Sequence, residues 1–385
     1  MSSIVIVGAG EFGLTAALEL RRRGWLVTLL DPGPVPHPDA ASTDISKVVR
    51  MDYGADAVYT EMGEQAIAGW RAWNAEWGHE WFHQDGFLVM SGKPLAPGTM
   101  EHDSHRFLAG RGHALIRKNS DDLRAEHPSW KAEAYVDGYL NPAGGWAESG
   151  KVIARLAFLA RQSGITIEAG SFQSLIEQNN RVCGVTAADG REFRADQVLV
   201  TAGAWTPVLL PQLKPVMWAT GQVVLHFRPA DPAPWQPPAF PVWAADIGSR
   251  GWYGFPATRD GIVKVANHGK GVRVVDAQAP RVVPADAEAD FREFLRGTFP
   301  ALAEAPLAGS RLCLYCDTPD GDFWIDHDPA RPGLVVAAGD NGHAFKFAPV
   351  LGCLIADVVE RRPNPWAGRF AWRVPRAGAG DQARA

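Results

Sequence analysis

Short apolar runs alternate with an amphipathic segment at the start of the chain. Residues 4–7 are uniformly apolar, which predicts a buried parallel strand. The apolar stripe of residues 14–23 predicts a helix that ends at Gly24, and residues 25–30 predict a second strand. The order strand, turn, helix, strand is typical of the opening of a nucleotide-binding α/β domain.

Later segments continue both patterns. Helices are expected at residues 55–77, 152–163 and 347–361, and strands at residues 165–168, 182–187, 192–194, 197–200 and 334–338. Asp189 and Gly190 predict a hairpin turn between two of these strands. In the middle of the chain, an antiparallel sheet is expected from strands near residues 221–227, 252–255, 262–265 and 311–315.

These patterns predict an α/β fold with an α+β second lobe. We expect a Rossmann-type nucleotide-binding domain assembled from three separated segments, residues 1–80, 148–214 and 317–375. The inserted, mainly antiparallel substrate domain would comprise residues 81–147 and 215–316. The last residues, 376–385, are small and polar, which predicts a disordered tail.

Composition narrows the function mainly by exclusion. A net charge of -5 gives no electrostatic reason to bind nucleic acid or an anionic membrane. We find no uncharged apolar stretch of about 18 residues, and the apolar start lacks the basic residues of a signal peptide. The 4 cysteines are too few for a disulfide scaffold, which favours a reducing compartment. We therefore expect a cytoplasmic protein. A monomer is expected as well, although composition does not decide the oligomeric state.

The turn after the first strand has the glycine spacing of a dinucleotide-binding loop. Gly8 permits a tight turn, Gly10 lets the backbone approach a pyrophosphate, and Gly13 lets the helix pack close to the strand. Asp31 ends the second strand, at the spacing where a carboxylate accepts hydrogen bonds from both ribose hydroxyls. The motif predicts a bound dinucleotide, but it does not distinguish NAD from FAD.

A second glycine-containing segment, residues 339–346, follows the apolar strand at 334–338. The expected structure is a turn and then a helix, whose N-terminus can stabilise negative charge on a reduced flavin ring. His343 and Lys346 lie three residues apart, so both would face one side of the first helical turn. A solvated helix start is the alternative.

Two further patterns leave alternatives open. Cys313 and Cys316 form a C-x-x-C pattern, but in a strand the two side chains point to opposite faces, and no second ligand pair for zinc accompanies them. Two buried structural cysteines are the simpler interpretation. Lys264 and His268 lie four residues apart at the end of an apolar strand, where Lys264 projects either into a cavity or, as is commoner, into water.

Together these segments resemble the monomeric sarcosine oxidase family. This D-amino-acid-oxidase-like group includes N-methyltryptophan oxidase, pipecolate oxidase and the fructosyl amino acid oxidases. The resemblance runs from residue 4 to about residue 360, and residues 311–320, 325–326, 342–347, 253–256, 264 and 268 carry it. Residues 31–50 are more similar to the fructosyl amino acid oxidases and the fungal branch than to bacterial sarcosine oxidase.

The resemblance implies FAD as the cofactor and a role for each matching residue. Cys313 matches the cysteine that carries FAD through a thioether, and Lys264 matches the lysine that promotes the reaction of reduced flavin with O2. Arg50 and Lys346 match the pair that binds the substrate carboxylate. The implied catalytic positions are Lys264, His268, Tyr253 and Tyr315, of which the last three line the substrate cavity in the family. The implied cofactor-binding positions are Gly8, Gly10, Gly13, Asp31, Ser46, Lys47, Cys313, Gly339, Gly342, His343 and Lys346.

The implied activity is that of an oxidoreductase acting on CH–NH donors with oxygen as acceptor. Its substrate would be a secondary or N-substituted amino acid, which is oxidised at the C–N bond to an imine while O2 is reduced to H2O2. An amadoriase-like fructosyl amino acid oxidase and a flavin dehydrogenase with another acceptor are the alternatives among enzymes, although Lys264 argues against the dehydrogenase. A flavin-binding protein without catalysis is disfavoured because Arg50 and Lys346 are both present. An NAD dehydrogenase would have no use for residues 339–346.

A few positions bear on the substrate itself. Lys47 stands where sarcosine oxidase has an arginine, and Ala344 and Pro349 change the small-residue pattern of the family after its histidine. Trp243, which two alanines follow, is expected to form a flat apolar wall of the substrate cavity. Such a wall predicts a substrate with a bulkier N-substituent or ring than sarcosine has. Packing of Trp243 within the lobe is the alternative.

Overall fold

The computed structural model describes residues 1–269 and 271–374. The expected disordered tail, residues 376–385, lies outside the described residues. The helices are α1 (Glu11–Arg22), α2 (Ala57–Trp77), α3 (Met100–Gly110), α4 (Ser120–Glu126), α5 (Ser149–Gln162), α6 (Thr206–Leu209), α7 (Ala287–Thr298), α8 (Pro300–Ala303), α9 (Ala348–Val359) and α10 (Ala367–Phe370).

The strands follow the chain from the glycine-rich turn to the last helices. They are β1 (Ser3–Val7), β2 (Leu26–Asp31), β3 (Lys47–Val49), β4 (Phe82–His83), β5 (Phe87–Ser91), β6 (Ile116–Asn119), β7 (Asp137–Asn141), β8 (Gly145–Ala147), β9 (Thr166–Ala169), β10 (Phe172–Gln178), β11 (Arg181–Ala187), β12 (Glu192–Arg194), β13 (Gln197–Val200), β14 (Trp218–Phe227), β15 (Val242–Ala245), β16 (Trp252–Gly254), β17 (Val263–Asn267), β18 (Val272–Val274), β19 (Leu307–Asp317), β20 (Trp324–His327) and β21 (Leu334–Ala338).

A six-stranded sheet, in the order β20-β21-β13-β1-β2-β9, forms the first layer of the molecule. All neighbouring strands in it are parallel except β20 and β21. Ile4 and Ile6 of β1 face the core formed with α1, α5 and α9, whereas Val5 and Val7 face a second core. Because both faces are covered, the strand is apolar at every position, as the sequence predicted.

The second large sheet has the order β18-β14-β17-β16-β15-β5-β7-β6, and β19 pairs along β14. Its pairings are antiparallel except that of β15 with β5. The expected fold class is therefore confirmed, with a parallel nucleotide-binding sheet and a mainly antiparallel lobe. The boundaries at residues 80, 147, 214 and 316 remain predictions. Among the described residues, no helix combines the length and the apolar character needed to cross a bilayer.

The long strand β19 connects the two cores. Cys316 packs in the core that covers the outer face of the parallel sheet, whereas Cys313 packs with Tyr315 and Val224 against the antiparallel sheet. Both cysteines are buried. The expectation that they do not form a dithiol pair agrees with this arrangement, since each thiol is free and belongs to a different cluster.

The start of the last long helix differs from the expectation. After β21, the backbone has positive φ at Gly339, Asn341 and Gly342, which right-handed helical geometry does not permit. The chain therefore forms turns and a short 3-10 segment, Phe345–Phe347, before α9 begins. The expectation that His343 and Lys346 share a first helical turn is wrong for this reason.

Trp243 also differs from the expectation. Its side chain is fully buried, and its ring centroid lies 4.7 Å from that of Phe299 and 6.0 Å from that of Phe294 in α7. The next residue, Ala244, pairs with Tyr253 and lies on the opposite face of the sheet. Because strand residues alternate between faces, Trp243 packs in the lobe and forms no wall of the substrate cavity.

This packing makes a prediction for Trp243. Replacing Trp243 by Ala should lower the free energy of unfolding by about 3–5 kcal/mol, because the ring fills space between α7 and the sheet. Urea unfolding measures the loss, and the milder Trp243→Phe should lose less stability. A Trp243→Ala variant as stable as the wild type would show that the ring does not pack in the lobe.

Candidate active site

The glycine-rich turn joins β1 to α1 with little space for side chains. Gly8 has φ of +105°, and a Cβ there would lie 2.6 Å from the carbonyl oxygen of Thr201. A Cβ on Gly13 would lie 1.9 Å from the carbonyl oxygen of Gly8. A Cβ on Gly10 would meet only Ser42 Oγ, at 3.4 Å, so the space beside this residue is open. The turn therefore needs glycine at positions 8 and 13 and leaves room for a ligand at position 10.

Asp31, at the end of β2, is fixed beside this turn. Its Oδ2 accepts a hydrogen bond from the backbone N–H of Ala9 at 2.8 Å, and its Oδ1 accepts one from Gly33 at 3.1 Å. The carboxylate is thus oriented by two backbone donors while it still borders the cleft next to the turn. An acceptor in this place suits the hydroxyls of a ribose.

A cleft of about 390 Å³ extends from the turn and is lined by residues of both large sheets. The predicted site residues that line it are Gly8, Gly10, Asp31, Lys47, Tyr315 and Gly342. The predicted residues outside its lining are Gly13, Ser46, Arg50, Tyr253, Lys264, His268, Cys313, Gly339, His343 and Lys346. The cleft therefore extends from the glycine-rich turn to Tyr315, and the other predicted residues are not part of its lining.

Lys264 is buried, and it does not project into water. Its Nζ lies 2.7 Å from Asp44 Oδ2 and donates to the backbone carbonyl of Ser46 at 2.6 Å. Burial lowers the pKa of Lys264 to about 8, while Asp44 acts in the opposite direction. Burial also raises the pKa of Asp44, but Lys264 and two further cations outweigh it and hold that pKa well below its usual range. Below about pH 8 the two side chains form a buried ion pair.

Cys313 lies near this pair, on β19. Its Sγ is 4.0 Å from the Nζ of Lys47, and the thiol is fully buried. Cys316, three residues further on, has a pKa raised well above its usual range by burial and by Asp340, so its thiol is inert.

Arg50 and Lys346 converge on the ring of Tyr53. The guanidinium carbon of Arg50 lies 4.5 Å from the ring centroid, and the Lys346 Nζ lies 5.4 Å from it. Arg50 donates to the backbone carbonyl of Asp52, and Lys346 donates to that of His343. Burial lowers the pKa of Lys346 well below its usual range, and Arg50 lowers it further. An anion between the two cations would oppose both effects.

Three predicted cavity residues also meet. The hydroxyl of Tyr253 lies 3.4 Å from that of Tyr315, and the ring centroid of His268 lies 5.9 Å from that of Tyr315. The Tyr315 ring packs directly on Gly342, where a Cβ would lie 2.1 Å from a ring carbon. This contact, together with φ of +70°, explains glycine at position 342.

His343 lies in an aromatic cluster and not on the cleft wall. Its Nδ1 is 3.0 Å from the hydroxyl of Tyr53, and its ring centroid is 5.0 Å from that of Phe323. Burial lowers the pKa of His343 well below its usual range, and Lys346 adds to this effect, so the imidazole is neutral. The residue supports Tyr53, which lies beside Arg50 and Lys346.

Three acidic residues near the site were missed as site residues. Asp44 pairs with Lys264, and Glu11 and Asp340 line the cleft. An acid at position 11, inside a turn that binds phosphates, was an available signal for Glu11. No local pattern connects Asp44 with a lysine 220 residues away.

The residues of the cleft fit FAD. The turn and Asp31 suit the dinucleotide, and Gly10 leaves space for phosphates. Within the described residues, no group of His, Cys, Asp and Glu side chains could hold a metal ion.

Known proteins resemble this chain along most of its length. L-saccharopine oxidase of Schizosaccharomyces pombe is 27% identical, with 96% of this chain and 93% of that protein covered. Monomeric sarcosine oxidase of a Bacillus species is also 27% identical, with 92% of each chain covered. Among solved structures, fructosyl amine:oxygen oxidoreductase (Amadoriase I) from Aspergillus fumigatus has a TM-score of 0.82 at 27% identity, with 97% of this chain and 89% of that chain covered.

The family comparison agrees with the geometry of the cleft. The model of the family described as FAD dependent oxidoreductase (DAO) matches residues 3–358, which include both large sheets and the glycine-rich turn. The resemblance predicted from the sequence motifs is confirmed. The chain therefore belongs to the DAO family of FAD-dependent oxidoreductases.

Proposed function

We propose that the protein is an amine oxidase that converts a secondary or N-substituted amino acid to an imine and reduces O2 to H2O2. The observation that carries this proposal is the convergence of Arg50 and Lys346 on the Tyr53 ring. Two cations in one place bind a carboxylate, and a carboxylate beside an amine defines an amino acid.

The charges of this pair support a carboxylate ligand. Arg50 and Lys346 both donate to backbone carbonyls, which carry no net charge and leave the positive charges uncompensated by those contacts. Like charges held together without an anion are unfavourable, the more so when buried. A bound carboxylate removes this penalty and fixes the orientation of the substrate.

The remaining residues have roles consistent with oxidation by a flavin. When bound, FAD accepts two electrons from the amine and passes them to O2. Gly8, Gly10 and Asp31 would hold the dinucleotide. The paired Lys264 supplies a fixed positive charge for the anion that forms as O2 is reduced. Cys313 would attach the cofactor covalently, and Lys47 lies beside it.

An amadoriase-like deglycating oxidase is the second candidate. The similarity to Amadoriase I and the lysine at position 47 support it. In both candidates Arg50 and Lys346 bind the substrate carboxylate, and the two candidates differ in the N-substituent of the substrate. Cytoplasmic localisation and a monomeric state stay predictions.

Covalent attachment at Cys313 predicts a simple result. Acid precipitation of the wild-type protein should leave the yellow colour in the pellet, because a thioether survives denaturation. Cys313→Ala should release the colour into the supernatant. Cys316→Ala is the matched control, since its buried thiol lies three residues away on the same strand, and it should retain the colour. Release by Cys316→Ala alone would place the bond at the other cysteine.

The carboxylate proposal predicts the ranking of substrates in a peroxide assay. Sarcosine, N-methyltryptophan, proline, pipecolate and a fructosyl amino acid should each react faster than the corresponding decarboxylated amine. Arg50→Met should lower kcat/KM for the best acid by about 30–150-fold, the effect of about 2–3 kcal/mol from one charged hydrogen bond, and should change kcat/KM for the decarboxylated amine little. The fructosyl compound as best substrate would favour the second candidate. Preference for a decarboxylated amine would contradict the proposal that Arg50 and Lys346 bind the substrate carboxylate.

A further inference from the structure

Glu11 is an acid in an unexpected place, the first residue of α1 after the glycine-rich turn. Its side chain is 6% exposed, and it lines the cleft. The Oε1 atom is buried and has no hydrogen-bond partner. The N-terminus of such a helix binds the phosphates of a dinucleotide, so an ionised carboxylate there would repel the cofactor.

The groups that face Glu11 come from three other elements. Asp340 follows β21, Lys346 lies in the 3-10 segment before α9, and Lys47 begins β3. Burial and, to a smaller extent, Asp340 raise the pKa of Glu11 to about 8, although Lys346 and Lys47 act in the opposite direction. The Nζ of Lys346 donates to the carbonyl of His343 at 2.5 Å.

Asp340 and Glu11 differ in how their oxygens are satisfied. Asp340 Oδ1 accepts from the backbone N–H of Gly342 at 2.9 Å, and its Oδ2 accepts from that of Cys316 at 3.1 Å. Two backbone donors suit a carboxylate and compete with protonation. Burial raises the pKa of Asp340 only to about 6. Of the two acids in this part of the cleft, Glu11 is therefore the one that holds a proton at neutral pH.

We propose that Glu11 is a proton-carrying residue of the FAD cleft: it is a neutral carboxylic acid when the cofactor is bound, and its ionisation weakens cofactor binding. The inference rests on the family assignment and not on the identity of the amine. The proposal makes FAD binding depend on pH, because the FAD-bound protein keeps a proton on Glu11 that the FAD-free protein loses at alkaline pH. FAD affinity is then constant below the pKa of Glu11 and falls as the pH rises through it.

The test uses the isosteric variant Glu11→Gln, which keeps the shape and cannot ionise. The visible absorption of the bound flavin is titrated from about pH 6 to about pH 10 in the wild-type holoprotein and in Glu11→Gln, a range that spans the raised pKa. The wild type should show a transition that Glu11→Gln lacks. Its midpoint should lie at or above the pKa that Glu11 has in the FAD-free protein. Glu19→Gln, on the solvent end of the same helix and paired with arginines, is the matched control and should keep the transition.

A second readout uses holoprotein of the Cys313→Ala variant, with and without Glu11→Gln, and measures free FAD by its fluorescence after dilution. The two proteins differ only at position 11. In the Cys313→Ala parent, each pH unit above the midpoint should weaken FAD binding by about tenfold. The protein that also carries Glu11→Gln should bind FAD equally at every pH in this range, and as well as the parent does below the midpoint.

The two readouts together decide the proposal. If Glu11→Gln does not fold, the titration of the Cys313→Ala parent decides the matter, because its FAD affinity must still fall as the pH rises through the pKa of Glu11. The same transition in both proteins, or none in either, would overturn the proposal, whatever the amine panel shows.

Discussion

The buried ion pair between Lys264 and Asp44 is the constraint around which the cleft is organised. It joins the loop before β3 to the antiparallel sheet, across 220 residues of sequence, and each side chain is only 2% exposed. Removing one partner from such a pair costs about 3–5 kcal/mol, because the other charge stays buried alone. Asp44 opposes the effect of burial on the pKa of Lys264, which lies at about 8, and so keeps the lysine cationic at neutral pH. Arg311 secures the same loop by donating to the carbonyls of Ala40 and Thr43.

Elements with a clear local pattern were predictable from the sequence. The strand at residues 334–338 is buried at every position, and its apolar run predicted its bounds. Strand β6 was missed because three of its four residues are exposed, so only its hydrogen bonds to β7 define it. Helix α7 was also missed, although Phe291, Phe294 and Leu295 give it an apolar stripe at helical spacing.

Site residues divide in the same way. Gly8, Gly13 and Asp31 act within one local unit, so spacing alone points to them. The pairing of Lys264 with Asp44 depends on the fold, and the sequence left a surface lysine as the commoner interpretation. Trp243 shows the opposite error. Its position in sequence, just before the strand of Tyr253, suggested a place in the substrate cavity, but its side chain lies on the opposite face of the sheet. The roles expected for residues far apart in sequence came from the family resemblance. Only the structure shows which charged groups surround them.

We propose that the cation held by Asp44 serves the reaction with oxygen. Stopped-flow spectroscopy of Lys264→Met tests this most directly, since Met keeps the bulk and removes the charge. We expect an amine substrate to reduce the flavin at nearly the wild-type rate under anaerobic conditions, and O2 to reoxidise it about 100-fold or more slowly, the scale of losing one preorganised charge. Slow reduction with normal reoxidation would contradict it.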